Sequence, residues 1–154
     1  MASDLPYRPC AGVVLTNADG RIFAGQRAGM DTPAWQMPQG GLDVGEDPVE
    51  AAYRELEEET GVARDHVSFV AKTSDWLTYD FPPEMAPGRW KDKYRGQAQM
   101  WVHLRLEAPD SVINLNHKDV EFSDWRWMTK REILTVIVPF KRPIYKAILK
   151  EFAL

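Results

Sequence analysis

The feature that most constrains the fold is an acidic helix, which the sequence predicts over residues 48–60. Asp47 suits the N-cap, because its carboxylate can accept hydrogen bonds from the first turn, and Pro48 suits the first helical position. Glu50 lies three residues after the cap, which makes the start resemble a capping box. Gly61 is a natural helix end, because glycine tolerates the left-handed conformation that is common there.

Three glutamates of this helix, Glu55, Glu58 and Glu59, share one face, because side chains three and four residues apart are neighbours on a helix. An acidic run is usually a solvated surface, and that interpretation suits Glu57. It explains the other three poorly, since their carboxylates repel one another and only Arg54 lies at their margin. A divalent cation would offset the repulsion, and oxygen ligands without His or Cys suit Mg²⁺ or Mn²⁺.

The spacing around the helix matches a known motif. Gly40, five residues, Glu46, seven residues and then Arg54-Glu55-Leu56-x-Glu58-Glu59-x-Gly61-Val62 agree with the Nudix box at every defined position. Residues 40–62 therefore resemble the Nudix hydrolases. The resemblance implies an α/β/α sandwich of the α/β (α+β) class, with a mixed β-sheet and a catalytic loop-helix-loop. It also implies Mg²⁺-dependent hydrolysis of a nucleoside diphosphate linked to another group.

The motif further implies a metal site and catalytic residues. The implied metal ligands are Glu55, Glu58, Glu59 and Gly40 of the box, with Glu121 from the loop before the last predicted strand. Glu58, Glu59 or Glu121 would take the proton of the attacking water. The alternative for Glu121 is a solvated loop acid. Arg54 is expected to orient the carboxylates, and Glu46 is either its partner or an acid that complements the helix dipole.

Composition indicates one domain. The 154 residues are 44% hydrophobic with six Trp, which is enough for one core, so we expect a single Nudix domain over residues 1–154. No run of 18 apolar residues is present, which predicts no membrane span. The first residues lack the regions of a signal peptide, and the single Cys10 cannot form an internal disulfide, so we expect a cytoplasmic protein. Cys10 is expected to be a small strand residue.

The charge is unevenly distributed. Residues 40–62 hold eight acids and one base, for a net charge of −7, whereas the remaining residues carry +3 and the whole chain −4. The acid is concentrated in the proposed metal site and the remainder is mildly basic. This distribution suits a polyanionic substrate that is bound locally. A DNA duplex would need a strongly basic face, which the sequence does not predict.

Apolar and alternating runs predict a mixed sheet. Strands are expected over residues 9–16, 21–27, 67–74, 97–106 and 122–128. Turn residues 17–20 would join the first two strands into a hairpin, on whose paired strands Arg8 and Arg27 could converge. Short helices are expected from Thr129 to about Val138 and from Pro143. Residues 75–96, rich in Pro, aromatic and charged residues, predict a long binding loop.

The resemblance extends over nearly the whole chain. Six further segments are arranged as in the Nudix subgroup of bacterial RNA pyrophosphohydrolases and plant-type diadenosine tetraphosphate hydrolases: Tyr7-Arg8-Pro9, Trp35-Gln36-Met37-Pro38-Gln39-Gly40-Gly41, Trp76-Leu77-Thr78-Tyr79-Asp80-Phe81-Pro82, Gly96-Gln97-Ala98-Gln99-Met100-Trp101, Glu121-Phe122-x-x-Trp125-x-Trp127 and Phe140-Lys141-Arg142. In that subgroup the positions matching Arg8, Arg27 and Lys141 contact phosphates or the 5′ nucleotides. Arginine forks suit phosphate oxygens, although a single exposed arginine is often only a surface residue.

Other candidate substrate-binding residues carry aromatic or amide side chains. Tyr79 and Phe140 are candidates to stack on bases, since every base offers a π-face, or else to pack half-buried in their loops. Gln97 and Gln99 share one face of a predicted strand, and family members use such a residue near the metals. Gln39 precedes the two glycines of a predicted functional loop. Three tryptophans are expected in the core: Trp101, Trp125 and Trp127.

The resemblance leaves two substrates open. The leading hypothesis is an enzyme that removes pyrophosphate, or phosphate, from the 5′-triphosphate or diphosphate end of RNA and leaves a 5′-monophosphate that promotes decay. The rival is hydrolysis of diadenosine tetraphosphate, a dinucleoside polyphosphate, to ATP and AMP. A non-catalytic nucleotide-binding module would not need the three glutamates, and only the aromatic residues of 76–94 favour a scaffolding protein. We expect a monomer that binds neither membranes nor a DNA duplex.

Overall fold

The computed structural model describes residues 4–83, 92–116 and 120–154. The strands are β1 (Tyr7–Thr16), β2 (Ile22–Arg27), β3 (Trp35–Gln36), β4 (Gln39–Gly41), β5 (Val67–Lys72), β6 (Leu77–Asp80), β7 (Gly96–Leu106) and β8 (Phe122–Met128). The helices are α1 (Pro48–Thr60), α2 (Lys130–Val136) and α3 (Arg142–Glu151), with short 3₁₀ turns at Arg64–His66, Asp110–Val112 and Pro139–Lys141. Within the described ranges, no helix has the length and apolar character needed to cross a bilayer.

The sheet is mixed, as predicted. Its main path runs β3-β2-β1-β7-β5, with β4 paired to β1, β6 to β7 and β8 to β2. The central strands β1 and β7 run parallel from Tyr7 beside Gly96 to Thr16 beside Arg105, whereas the other pairs are antiparallel. The central parallel pair therefore carries residues of both its strands to the same end of the sheet.

Helices cover both faces of the sheet. On one side, Ala52 and Leu56 of α1 pack against Val13 and Leu15 of β1. On the other side, Ile133 of α2 and the buried residues of α3 pack against Val14 and Trp101. Residues of β1 alternate between the two cores because successive strand side chains point to opposite faces. This arrangement is the predicted α/β/α sandwich.

Helix α1 has the predicted bounds. The Asp47 carboxylate accepts hydrogen bonds from the backbone N–H groups of Val49 and Glu50, at 2.9 and 3.2 Å. Gly61 ends the helix with a φ of 75°. Only half of the expected capping box forms, because the Glu50 carboxylate bonds the exposed Arg64 at 2.9 Å instead.

Three short strands were not predicted from the sequence. Strands β3 and β4 flank Met37 and Pro38, and β6 pairs with β7 inside the predicted irregular connection of residues 75–96. Elements of two to four residues are too short to show a period of their own, and pairing with longer neighbours stabilises them. Residues 84–91 of that connection lie outside the described residues.

The predicted hairpin of β1 and β2 is correct only near its turn. The register of this pair includes only Thr16 beside Ile22, since β1 continues along β4 and β7, and β2 along β3 and β8. Arg8 and Arg27 therefore do not face each other across paired strands, as the sequence had suggested. Both residues nevertheless line the same cleft.

The helices after β8 differ slightly from their predicted bounds. Thr129 and Glu132 form the expected capping box, but α2 ends before Ile137, since the backbone must leave the helical conformation ahead of Pro139. Helix α3 starts at Arg142. Three tryptophans were predicted to lie in the core, and Trp101 is fully buried. Trp125 and Trp127 are half-buried: the ring of Trp125 stacks on that of Phe23, and the ring of Trp127 packs edge-on against it.

Candidate active site

A cleft of about 460 Å³ opens beside the N-terminal end of β1 and the acidic face of α1. It brings together most of the residues that the sequence nominated: Arg8, Arg27, Gln39, Gly40, Glu55, Glu58, Glu59, Tyr79, Gln97, Glu121, Phe140 and Lys141. Gln36, Gly41 and Phe81 also line it and were not singled out. The structure places Arg54 and Gln99 behind the cleft wall. The carboxylates of the lining come from α1 and the residue before β8, which we call the acidic side, and its cationic side chains come from β1, β2 and the turn before α3, which we call the cationic side.

The two glycines of β4 let the backbone approach charged groups closely. A Cβ atom on Gly40 would come within 2.4 Å of the Glu55 carboxylate, and one on Gly41 within 2.4 Å of the Arg8 guanidinium. Strand β4 pairs with β1 at these positions, with Gly41 beside Cys10. The glycines therefore leave the space that the Glu55 and Arg8 side chains occupy and are part of a strand, not a plain turn. Burial raises the pKa of the Cys10 thiol to about 11, as expected for an inert strand residue.

Arg54 organises the acidic side of the cleft from behind. Its guanidinium forms a bidentate pair with Glu46, both bonds at 2.8 Å, and donates to the Gly41 carbonyl at 3.0 Å. Its Nη1 atom donates to Glu55 at 3.0 Å and to Glu58 at 3.1 Å. The hydrogen bonds from Arg54 lower the pKa of Glu46. Glu46 is thus the predicted partner of Arg54, and Arg54 orients two carboxylates without lining the cleft.

Two carboxyl groups of this side, Glu55 and Glu59, have raised pKa values and therefore hold their protons more tightly than usual. Burial raises the pKa of Glu55 to about 7, with a further contribution from the charge of Glu58, although Arg54 opposes the shift. Burial, followed by the charges of Glu55 and Glu121, raises the pKa of Glu59 well above its ordinary value. Glu59 Oε2 is also buried without a hydrogen-bond partner among the described residues. The residues around Glu55 and Glu59 therefore supply too little positive charge to keep both carboxylates ionised.

These residues fit a divalent cation. Among the described residues, no three His, Cys, Asp or Glu side chains stand in the geometry of a metal site without moving. The donor set is nevertheless composed of hard oxygens, in which Glu59 Oε2 and Gln39 Oε1 are buried and lack partners. A cation between Glu55, Glu58 and Glu59 would supply the positive charge that the raised pKa values of Glu55 and Glu59 indicate is missing.

The pKa of Glu55 predicts a pH dependence of stability. A carboxyl group whose pKa is raised on folding stabilises the folded protein below its ordinary pKa, and this contribution is lost as the pH rises through the folded value. Metal-free protein should therefore lose up to about 3 kcal/mol of unfolding free energy from Glu55 between about pH 4 and pH 8. Glu55→Gln should flatten the profile over this interval, as measured by denaturant unfolding.

The matched control for this pH dependence is Glu57→Gln, on the exposed side of α1. Its profile should remain parallel to that of the unmodified protein. Mg²⁺ should restore stability at the alkaline end by mass action. If the stability profiles of Glu55→Gln and the unmodified protein were parallel, folding would not raise the pKa of the Glu55 carboxyl group, and the prediction would be wrong.

The cationic side of the cleft is formed by three basic residues. Arg8, Arg27 and Lys141 line it together. Burial and the neighbouring Arg27 lower the pKa of Lys141 to about 8. An anionic group placed between these side chains would relieve their mutual repulsion, because opposite charges favour the ionised forms. The cationic side is therefore suited to a phosphate chain.

An aromatic wall closes one end of the cleft. The ring of Tyr79 lies 5.8 Å from that of Phe140 and 6.1 Å from that of Phe81, measured between centroids. Phe140 is 38% exposed, and burial raises the pKa of Tyr79. The wall can therefore offer a ring face to a base, while Tyr79 also packs against the protein. Both expectations for these aromatic residues, stacking and half-buried packing, are compatible with this placement.

Comparison with known proteins agrees with the fold and the motif. The NUDIX domain model matches residues 6–148. The chain is 52% identical over 149 residues to an RNA pyrophosphohydrolase of Dinoroseobacter shibae, covering 97% of this chain and 93% of the relative. It is 53% identical over 148 residues to an RNA pyrophosphohydrolase of Cereibacter sphaeroides, covering 96% and 91%.

Solved structures share the fold at low sequence identity. A C. elegans Ap4A hydrolase in a binary complex superposes with a TM-score of 0.69 at 19% identity, over 95% of this chain and 98% of the other. The MutT protein of Methanosarcina mazei superposes with a TM-score of 0.68 at 16% identity, over 96% of both chains. The sequence motif, the sandwich and these relatives agree, and the chain belongs to the Nudix family.

Proposed function

We propose that this chain removes pyrophosphate, or phosphate, from the 5′-triphosphate or diphosphate end of RNA and leaves a 5′-monophosphate, a reaction that promotes RNA decay. The observation that carries this proposal is the cleft, whose lining combines a cluster of carboxylates with Arg8, Arg27 and Lys141. The relatives at 52 and 53% identity are RNA pyrophosphohydrolases and support the same assignment. Hydrolysis of a phosphoanhydride bond mostly requires positioning and charge neutralisation, and the cleft offers both.

The acidic side would bind the cofactor and activate water. Glu55, Glu58, Glu59 and Glu121, with the Gly40 carbonyl, would hold Mg²⁺ or Mn²⁺, which neutralises phosphate charge and acidifies water when bound. Arg54 keeps two of these carboxylates in place through its hydrogen bonds. Glu58, Glu59 or Glu121 would accept the proton as the water oxygen attacks phosphorus and the anhydride bond breaks.

The cationic and aromatic sides would bind the substrate. Arg8, Arg27 and Lys141 would contact the phosphate oxygens, including those of the leaving pyrophosphate. Tyr79 and Phe140 would stack on the first bases. Gln39 and Gln97 would add polar contacts from the cleft floor. Gln99 would act from behind the wall, since both its side-chain polar atoms bond protein groups.

A second candidate activity is hydrolysis of diadenosine tetraphosphate to ATP and AMP. The observation that favours it is an apolar pocket of about 570 Å³ that adjoins the cleft at Arg27 and Phe140 and is lined by Trp35, Pro82 and Val138. With the aromatic wall, this pocket offers apolar surface beyond the phosphates that could accept an adenine. Both activities would use the same carboxylates.

The decisive experiment compares the two substrates. Purified protein with Mg²⁺, and separately with Mn²⁺, is assayed on triphosphorylated RNA oligomers and on diadenosine tetraphosphate. A kcat/KM for RNA more than about tenfold higher, equivalent to about 1.4 kcal/mol, supports RNA as the substrate. The reverse preference would replace the first proposal by the second.

We also propose that the enzyme acts as a monomer in the cytoplasm.

A substitution of Glu121 tests whether the segment before β8 contributes to the site. It lies directly before β8, is exposed, and lines the cleft. Its charge also contributes to the raised pKa values of Glu55 and Glu59, which indicates proximity. Glu121→Ala should therefore lower kcat by about a hundredfold or more while the thermal unfolding midpoint changes little. Near-normal turnover at saturating Mg²⁺ would remove Glu121 from the site.

A further inference from the structure

Three side chains of β7 form a buried chain of hydrogen bonds that ends at the cleft. The indole Nε1–H of Trp101 donates to Gln99 Oε1 at 2.8 Å, and Gln99 Nε2 donates to Gln97 Oε1 at 2.7 Å. The three residues alternate along the strand and therefore share one face. All three side chains are buried, but Gln97, which is 7% exposed, also lines the cleft.

The chemistry of the inner end fixes the direction of this chain. An indole nitrogen can only donate a hydrogen bond, so Gln99 must turn its carbonyl oxygen toward Trp101 and its NH₂ group toward Gln97. Gln97 must then accept with its carbonyl oxygen, which directs its own NH₂ group away from Gln99. A carboxamide on its own could take either orientation. Here the tryptophan determines the orientation of both amides.

The NH₂ group of Gln97 is available to a ligand. Among the described residues, no protein group accepts a hydrogen bond from Gln97 Nε2. This atom is also absent from the buried side-chain atoms that lack a partner, which are Gln39 Oε1, Glu59 Oε2 and His66 Nδ1. Gln97 Nε2 is therefore accessible, and the accessible surface at this residue is the cleft.

Trp101 is held rigidly enough to act as an anchor. Its backbone N–H donates to Thr73 Oγ1 at 3.1 Å, and its ring packs edge-on against Tyr145 at 5.9 Å between centroids. Its other side lies against Gly12, where an added Cβ atom would come within 2.6 Å of the indole. The ring therefore has no room to turn its N–H group away from Gln99.

We propose that Trp101 and Gln99 are positioning residues that hold the Gln97 carboxamide with its NH₂ group turned into the cleft, where it donates to a phosphate oxygen of the substrate. The inference rests on the proposed function, because the phosphate chain is the acceptor. In the register of β1 and β7, Gln97 lies beside Arg8, and both residues line the cleft. Phosphate oxygens only accept hydrogen bonds, so an inverted amide would present a repelling oxygen at this position.

The test inverts the amide with a nearly isosteric change. In Gln99→Glu, the carboxylate accepts from Trp101 and also from the Gln97 NH₂ group, which leaves the Gln97 oxygen facing the cleft. The probe is inorganic tripolyphosphate with Mg²⁺, and its Kd is measured by calorimetry. We expect Gln99→Glu to weaken binding by about tenfold or more. Trp101→Phe removes the indole N–H, so that the Gln99 and Gln97 carboxamides can take either orientation, and it should weaken binding by a smaller factor.

Two controls separate orientation from charge and from general damage. Trp127→Phe removes an indole N–H that bonds Asp110 at 3.1 Å away from the cleft, and it should leave the Kd unchanged. In a Gln97→Met background, Gln99→Glu should have no further effect, because there is no amide left to invert. If the added negative charge alone were responsible, its effect would persist in that background and the proposal would be wrong.

A spectroscopic measurement makes the test independent of the variants. In ¹⁵N-labelled, unsubstituted protein, the Gln97 side-chain NH₂ signal should shift on addition of tripolyphosphate. An unchanged Gln97 signal, no binding of tripolyphosphate, or an unchanged Kd in both Gln99→Glu and Trp101→Phe would overturn the proposal. Turnover of RNA and diadenosine tetraphosphate is assayed separately, so that loss of the proposed function is distinguishable from failure of the positioning role.

Discussion

Glu58→Gln should lower kcat by about a thousandfold while the protein remains folded. Glu58 lines the cleft and is held at 3.1 Å by Arg54. The amide keeps the shape of the side chain but loses the charge that binds a cation and the ability to accept a proton from water. Steady-state release of pyrophosphate from triphosphorylated RNA measures the effect. Circular dichroism checks the fold.

The same helix offers a matched control for this variant. Glu57→Gln makes the identical change one residue earlier, on the exposed side of α1. Its kcat should remain within about twofold of that of the unmodified protein, since surface changes away from the site rarely matter. If Glu58→Gln kept most of its turnover, the Glu58 carboxylate would have no part in the chemistry.

Among the substitutions proposed for this protein, Arg54→Met should lower the free energy of unfolding the most, by about 3 kcal/mol near pH 8. The substitution leaves Glu46, Glu55 and Glu58 without their shared cation, although partial exposure of the site moderates the cost. Denaturant unfolding measures the loss. It should shrink in acid, because the carboxylates can then become neutral by taking up protons. Turnover should also fall, since two carboxylates lose the group that orients them.

The control for this second prediction is Arg64→Met. Arg64 pairs with Glu50 at 2.9 Å, but its side chain is 60% exposed and that of Glu50 53%. An ion pair this exposed contributes little to stability, so the variant should unfold nearly like the original. Equal losses for Arg54→Met and Arg64→Met would mean that the Arg54 network is an ordinary surface ion pair.

The fold was most predictable where local chemistry decides the structure. Helix α1 begins and ends where the sequence indicated, because Asp47, Pro48 and Gly61 fix its termini independently of distant contacts. Strand β8 also has its predicted bounds, and within it Trp125 and Trp127 pack against the core on either side of the exposed Arg126. Strand β6 was missed because its alternation of apolar and polar residues is only four residues long and lies in a segment rich in Pro and charged residues, where pairing with β7 stabilises it.

The site was predictable as a set of residues but not as a geometry. Arg8 and Arg27 were expected to converge across a hairpin, whereas they line one cleft although their strands pair only at Thr16 and Ile22. Gln97 and Gln99 looked equivalent, since both face the same side of one strand. Their different environments follow from the position of the Trp101 indole, which depends on space beside Gly12 that no local pattern reveals.

The central claim is that the carboxylates of α1 share a divalent cation that binds a phosphate chain. It is tested most directly by crystals grown with Mn²⁺ and a non-hydrolysable triphosphate-end RNA analogue, from the anomalous signal of manganese. The account predicts a peak within about 2.2 Å of oxygens of Glu55, Glu58 or Glu59 that also contacts the phosphates. A map in which manganese lies elsewhere, with these side chains turned toward solvent, would contradict it.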